Sequence, residues 1–134
     1  MLTRWPMWRR WFGTRAERAA AKFLKKLGYR IVGRNIVLAP GELDIVALDG
    51  ECIVFVEVRS TERGDIERPT ASVDHEKQRR LSNLAVAFLQ KHHLLGHTAR
   101  FDIIAVSWPA NCREPTIVHH KSAFESVGRF QMFS

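Results

Sequence analysis

Apolar residues recur along the chain with two different periods, and the switches between them mark successive elements. Ala16, Ala20, Phe23, Leu24 and Leu27 fall three and four residues apart, the spacing of a helix face. That stripe starts after Thr14, an N-cap with Glu17 at the capping-box distance, and stops at the C-capping Gly28. Tyr29 to Leu38 is rich in β-branched residues and reads as a strand, which Ala39-Pro40-Gly41 then reverses. Glu42 to Leu48 and Cys52 to Ser60 are two further strands, joined at Asp49-Gly50, a dipeptide suited to a two-residue hairpin turn. Thr61 to Pro69 is polar, holds Gly and Pro, and reads as a loop. Asp74 caps a second helix that reaches about His93, with Lys77, Leu81, Leu84, Ala85, Phe88 and His92 on the inward stripe. Arg100 to Trp108 and Thr116 to His120 complete the set as strands.

The order α-β-β-β-α-β-β predicts an α/β fold with a central mixed sheet of about five strands flanked by helices. With 134 residues, 46% of them hydrophobic, the chain suits one core and not two. Residues 14–128 are expected to form that domain. Residues 1–13 would be a flexible basic aromatic segment with Trp5, Trp8 and Trp11 among arginines, and residues 129–134 a tail. Twenty-one Lys and Arg against 14 Asp and Glu leave a net charge of +7, a balance that suits a polyanionic partner. Two distant cysteines, Cys52 and Cys112, indicate neither a disulfide framework nor a paired-cysteine zinc site. No apolar run has the length of a secretory signal or a membrane span, so the expected compartment is the cytoplasm.

The hairpin carries the chemistry. A two-residue turn at Asp49-Gly50 sets Asp44 opposite Phe55 and Glu42 opposite Glu57. Alternation then places Glu42, Asp44, Glu57 and Arg59 on one face and Leu43, Ile45, Val54, Val56 and Val58 on the other. Single acids inside the apolar runs Leu43-Asp44-Ile45-Val46 and Phe55-Val56-Glu57-Val58 are costly unless compensated. A divalent cation is one compensator, because Mg²⁺ binds through one or two carboxylates together with water and substrate phosphates. A solvated face on which Arg59 neutralises Glu57 is the other.

The runs Gly41-Glu42-Leu43-Asp44-Ile45-Val46-Ala47 and Val54-Phe55-Val56-Glu57-Val58-Arg59 resemble the YraN-like family of uncharacterised bacterial proteins. Glu17, Asn35, Lys77 with Arg80-Leu81, Arg100-Phe101-Asp102 and Ala123-Phe124 extend the likeness over roughly residues 14 to 126. That family looks like a branch of the restriction-endonuclease-like superfamily, related to archaeal Holliday-junction resolvases. The resemblance implies a metal-dependent nuclease in which Asp44 and Glu57 hold Mg²⁺ or Mn²⁺. The backbone carbonyl of Val58 would be a further ligand, and Glu17 would make a supporting or direct contact. The superfamily motif usually has lysine where this chain has Arg59, and arginine stays protonated. Lys77, at the head of the inward helix stripe, is a spatial substitute or simply the partner of an acid.

On this reading the partner is nucleic acid, in particular DNA, with Arg63, Arg68, Arg79 and Arg80 guiding its backbone. Resolvase-like relatives suggest a homodimer. Asp102 is expected to serve Arg100 or a helix cap and not a metal. The competing classes are a non-catalytic nucleic-acid-binding module and a protein adaptor that uses the aromatic amino-terminal segment.

Overall fold

The computed structural model describes residues 15–39, 41–61, 73–110 and 112–125. Helix α1 (Arg15–Lys26) leads into strands β1 (Arg30–Leu38), β2 (Gly41–Asp49) and β3 (Cys52–Thr61). Helix α2 (His75–Lys91) and strands β4 (Ala99–Ser107) and β5 (Thr116–Phe124) follow, in the order expected from the periodicity. The five strands form one sheet in chain order, antiparallel except between β3 and β4. A parallel step needs a crossover, and α2 is that crossover. Thr14, Pro40, Arg63, Arg68, segment 1–13, tail 129–134 and most of the Thr61 to Pro69 stretch lie outside the described residues.

Each face of the sheet is covered by one helix. Ala16, Ala20, Ala21 and Leu24 of α1 pack on Ile45, Ala47, Val54, Val56, Ile104 and Val106. Leu81, Leu84, Ala85, Phe88 and Leu89 of α2 pack on Val46, Ile53, Phe55, Phe101 and Ile103. At Gly41 a Cβ would stand 3.1 Å from Leu84 Cδ1, so glycine lets the start of β2 lie close under α2. The helix ends follow their chemistry. Asp74 Oδ1 accepts the Lys77 amide at 2.9 Å. At the end of α1, Gly28 has φ +95, its amide reaches the Lys25 carbonyl, and the Tyr29 amide reaches Leu24, the Schellman pattern.

Four details differ from the sequence reading. Leu27 is 51% exposed and His92 is also exposed, since both lie past the last helical turn that meets the sheet. The β2–β3 turn is Gly50-Glu51, with Asp49 paired to Cys52. Glycine, φ +62, thus takes the first central position, where a two-residue turn needs a positive φ. Leu43 packs under α2 whereas Ile45 packs under α1, so the alternation of β2 switches at Asp44. Strand β5 runs four residues beyond His120, because a bulge with Ser122 at φ 50 restores the pairing and brings Phe124 onto Phe101 at 4.7 Å.

Asp102 organises that bulge. Fully buried in β4, it accepts the Ser122 amide at 3.0 Å and Arg100 Nε at 2.9 Å, with His119 Nε2 at 2.8 Å. Arg100 continues to Tyr29 Oη and Asp49 Oδ2, tying the first loop to the far strands. Burial pushes the Asp102 carboxyl up, but the bonds from His119, Arg100 and the Ser122 amide outweigh it and hold it below its usual 3.8. The expected role as a structural partner of Arg100 is the observed one. Among the described residues, no helix is long and apolar enough to cross a membrane.

Arg100→Met should cost about 3 kcal/mol in urea unfolding at neutral pH, because it strands a buried carboxylate. A group held below its ordinary value contributes stability above that value and loses it in acid. The gap between parent and variant should therefore narrow as the pH falls through 3.8 and below. A cost under about 1 kcal/mol would mean that the ring of donors is not what holds this carboxylate.

Candidate active site

The β2–β3 ladder ends at Ile45 paired with Val56, and one further step brings Asp44 level with Glu57. This corrects the expected pairing of Asp44 with Phe55, whose partner is Val46. Glu42, expected opposite Glu57, lies beyond the β2–β3 ladder and pairs with Val37 of β1 instead. A slip of two residues preserves side-chain parity, which is why Asp44 and Glu57 still meet. Beyond the ladder, Asp44 Oδ2 takes the Val58 amide at 2.9 Å, so the carboxylate fills the place of a missing backbone acceptor.

Glu57 is 8% exposed at the end of the apolar run of β3. Lys77 Nζ lies 2.7 Å and Arg59 Nη1 3.4 Å from the same oxygen, Oε2. The capping bond at Asp74 fixes the first turn of α2 and hence the aim of Lys77. A cation in the first helical turn opposes the helix dipole, and Glu57 offsets that disadvantage.

Asp44 bears the cost of the pair. Burial first, then the neighbouring charge of Glu57, push its carboxyl up from 3.8 to about 8. The charge of Glu17 in α1 and a hydrogen bond with Glu57 add to the rise, and the Val58 amide opposes it. Glu17 therefore reaches the site through its field, as a supporting acid would. Glu42 is half-buried beside Val37 in the register of β1 and β2. Arg79 and Arg80 are exposed on α2, next to Lys77 in sequence but turned to the surface.

These residues fit a divalent ion of the Mg²⁺ or Mn²⁺ kind. Two touching carboxylates, one of them driven towards protonation by burial and then by the charge of the other, are relieved when a cation enters between them. In an extended strand the N–H and C=O of one residue point to the same side, so the Val58 carbonyl shares the Asp44 side with its amide. Among the described residues no group of three or more His, Cys, Asp or Glu comes together, so water and substrate oxygens would complete the shell. The amide bond that holds Asp44 and the switch of β2 at that residue had no signal in the sequence.

The family model described as "Uncharacterised protein family UPF0102" matches residues 16–106. A UPF0102 protein of Rhodopirellula baltica is 40% identical, over 87% of this chain and 71% of that one. One from Syntrophus aciditrophicus is 42% identical over 84% and 87%, and one from Moorella thermoacetica 46% identical over 75% and 83%. Among solved structures, Pyrococcus furiosus SfsA in complex with Ca²⁺ is similar at a TM-score of 0.34 and 13% identity, covering 77% of this chain and 58% of that one. That likeness is too distant to bear on fold or chemistry.

Asp44→Asn keeps an acceptor for the Val58 amide and removes the repulsion. A carboxyl raised from 3.8 to about 8 costs the fold nothing below the lower value and increasingly more up to the higher one. In EDTA the variant should match the parent near pH 4 and exceed it by roughly 2 kcal/mol near pH 8, allowing for partial solvent screening. Unfolding curves at the two pH values check this. A gap that does not grow with pH would mean the carboxylate is already compensated.

Proposed function

We propose, from the premise that this chain belongs to the uncharacterised protein family UPF0102, that it is a divalent-metal-dependent nuclease acting on DNA, branched DNA included. The observation that carries the reading is the contact of Asp44 with Glu57 under two cations, Lys77 and Arg59, at the end of the middle strand. The restriction-endonuclease-like resemblance of the two motifs agrees with it.

Asp44, Glu57 and the Val58 carbonyl would hold Mg²⁺ or Mn²⁺. Such an ion supplies a polarised water and neutralises the phosphate. Arg59 presents a planar fork to the non-bridging oxygens and stays protonated, so it positions and does not carry protons. Lys77 stands on the same carboxylate from the helix side and takes the orienting role that the motif lysine has in the superfamily. Asp44, with its carboxyl near 8, holds a proton that it can release at neutral pH as the site fills. Arg79 and Arg80 guide the sugar-phosphate backbone from the surface of α2, and Arg63 and Arg68, which lie outside the described residues, are assigned to the same task by their charge alone. A homodimer in the cytoplasm would offer two such sites to a branched duplex.

One observation favours a second reading. Both cations already sit on Glu57 Oε2, an arrangement that would also serve a nucleic-acid-binding module whose turnover was lost with Arg59.

The test compares the parent, Glu57→Ala and Arg59→Lys on labelled branched, flapped and linear DNA with Mg²⁺, Mn²⁺ or EDTA. The parent should cut only with metal, and Glu57→Ala should lose at least about a hundredfold in rate. Equal cutting by Glu57→Ala would sink the mechanism. Salt-sensitive binding without cleavage, converted to cleavage by Arg59→Lys, would identify the binding module.

A further inference from the structure

Helix α1 carries a second chemistry on the side turned away from the sheet. Arg15, Arg18, Lys22 and Lys26 stand three, four and four residues apart, so they form one stripe, and all four are exposed. Facing the stripe, Trp108 after β4 and Arg113 before β5 close a groove that encloses about 1180 Å³, its open mouth included. Five cations and one acid, Glu114, line it.

A charged helix face is ordinarily solvated, and such faces mix both signs. This one does not. The acid of α1, Glu17, acts on Asp44 on the far side of the helix. Like charges four residues apart, as in Lys22 with Lys26, weaken a helix. That pair is a local disadvantage that a polyanion would remove. The groove also has a flat apolar wall. Trp108 is half-buried against the α1 side of the core, and the Arg15 guanidinium lies 4.0 Å from its ring centroid. Cations along a track, with an indole beside them, match the way proteins hold single strands, whose bases are open to stacking as those of a duplex are not.

We infer that this groove binds a single strand of nucleic acid, with phosphates along Arg18, Lys22, Lys26 and Arg113 and a base stacked on the layered pair of Arg15 and Trp108. The stripe is about 16 Å long, room for a few nucleotides. The choice of polymer rests on the nucleic-acid reading above, but the groove uses none of its carboxylates. It would hold a single-stranded arm of the substrate, which suits branched or flapped DNA better than a plain duplex.

The experiment measures anisotropy of a short labelled oligothymidylate with the full chain in EDTA, across a salt series. A Lys22→Ala/Lys26→Ala/Arg113→Ala variant, altered only at exposed positions, should bind at least tenfold more weakly. Its plot of log affinity against log salt should be shallower by about 2, at roughly 0.7 for each phosphate no longer neutralised. Trp108→Leu should weaken binding about tenfold, and Trp108→Phe should restore most of it because a ring returns. Unchanged affinity in the triple variant would overturn the groove. Equal affinity for a matched duplex, or no difference between Trp108→Leu and Trp108→Phe, would overturn the single-strand assignment. Arg30→Ala, which removes an exposed cation outside the groove, should bind as the parent does, and a loss there as large as in the triple variant would reduce the effect to net charge and overturn the groove. Groove-dependent binding without cleavage in any metal would leave this inference standing and remove the nuclease reading.

Discussion

Strand β3 is covered on both faces, with Ile53 and Phe55 beneath α2 and Val54 and Val56 beneath α1. A strand so placed has no solvated side, so polar side chains are excluded along its apolar stretch and admitted only where the helices thin out. Glu57 is the first position at which the cover from α2 gives way to that helix's opening turn. The neighbouring strand has the same constraint and breaks at the same level: its alternation switches at Asp44, and its ladder with β3 stops one residue earlier. The site therefore sits where double burial ends.

Asp102, which is buried, and Asp44, which is half-buried, are treated in opposite ways. Asp102 is ringed by Arg100, His119 and the Ser122 amide, and it is held ionised as part of the scaffold. Asp44 has one amide and two acidic neighbours, and it is driven towards protonation. Desolvation raises both carboxyls, and the neighbours decide whether that rise is reversed, as at Asp102, or reinforced, as at Asp44. A fold that can satisfy one acid fully and leaves another strained has retained the strain, which is the pattern of sites that bind or react.

Much of this was legible from the chain, and the reasons are specific. The two helices, the five strands and their order follow from apolar periods that few side chains interrupt. The meeting of Asp44 and Glu57 was legible because it depends only on parity, and a turn moved from Asp49-Gly50 to Gly50-Glu51 leaves parity unchanged. Their direct apposition was not legible, since it depends on which residue accepts a positive φ. The second half of β5 was hidden by Ser122, whose left-handed backbone is stabilised by Asp102 twenty residues away in sequence. Lys77 was placed correctly at the head of an inward stripe, but only the fold could bring its ammonium onto Glu57. The basic stripe of α1 was present in the periodicity, and it gained meaning only when the fold set Trp108 beside it.

The arginine at position 59 bears on how the proposed chemistry is divided. A lysine there would approach Glu57 along the strand, two residues away, and serve both as positive charge and as movable proton. Here the strand offers a fixed charge at 3.4 Å, and a lysine from the opposite layer comes closer, at 2.7 Å, to the same oxygen. Positive charge then reaches one carboxylate oxygen from two elements, β3 and α2. Such a division ties the site to the seating of the first turn of α2, through Asp74 and the close approach at Gly41. On the proposed chemistry, the packing of that helix on the sheet would be a part of the reaction and not only of its support.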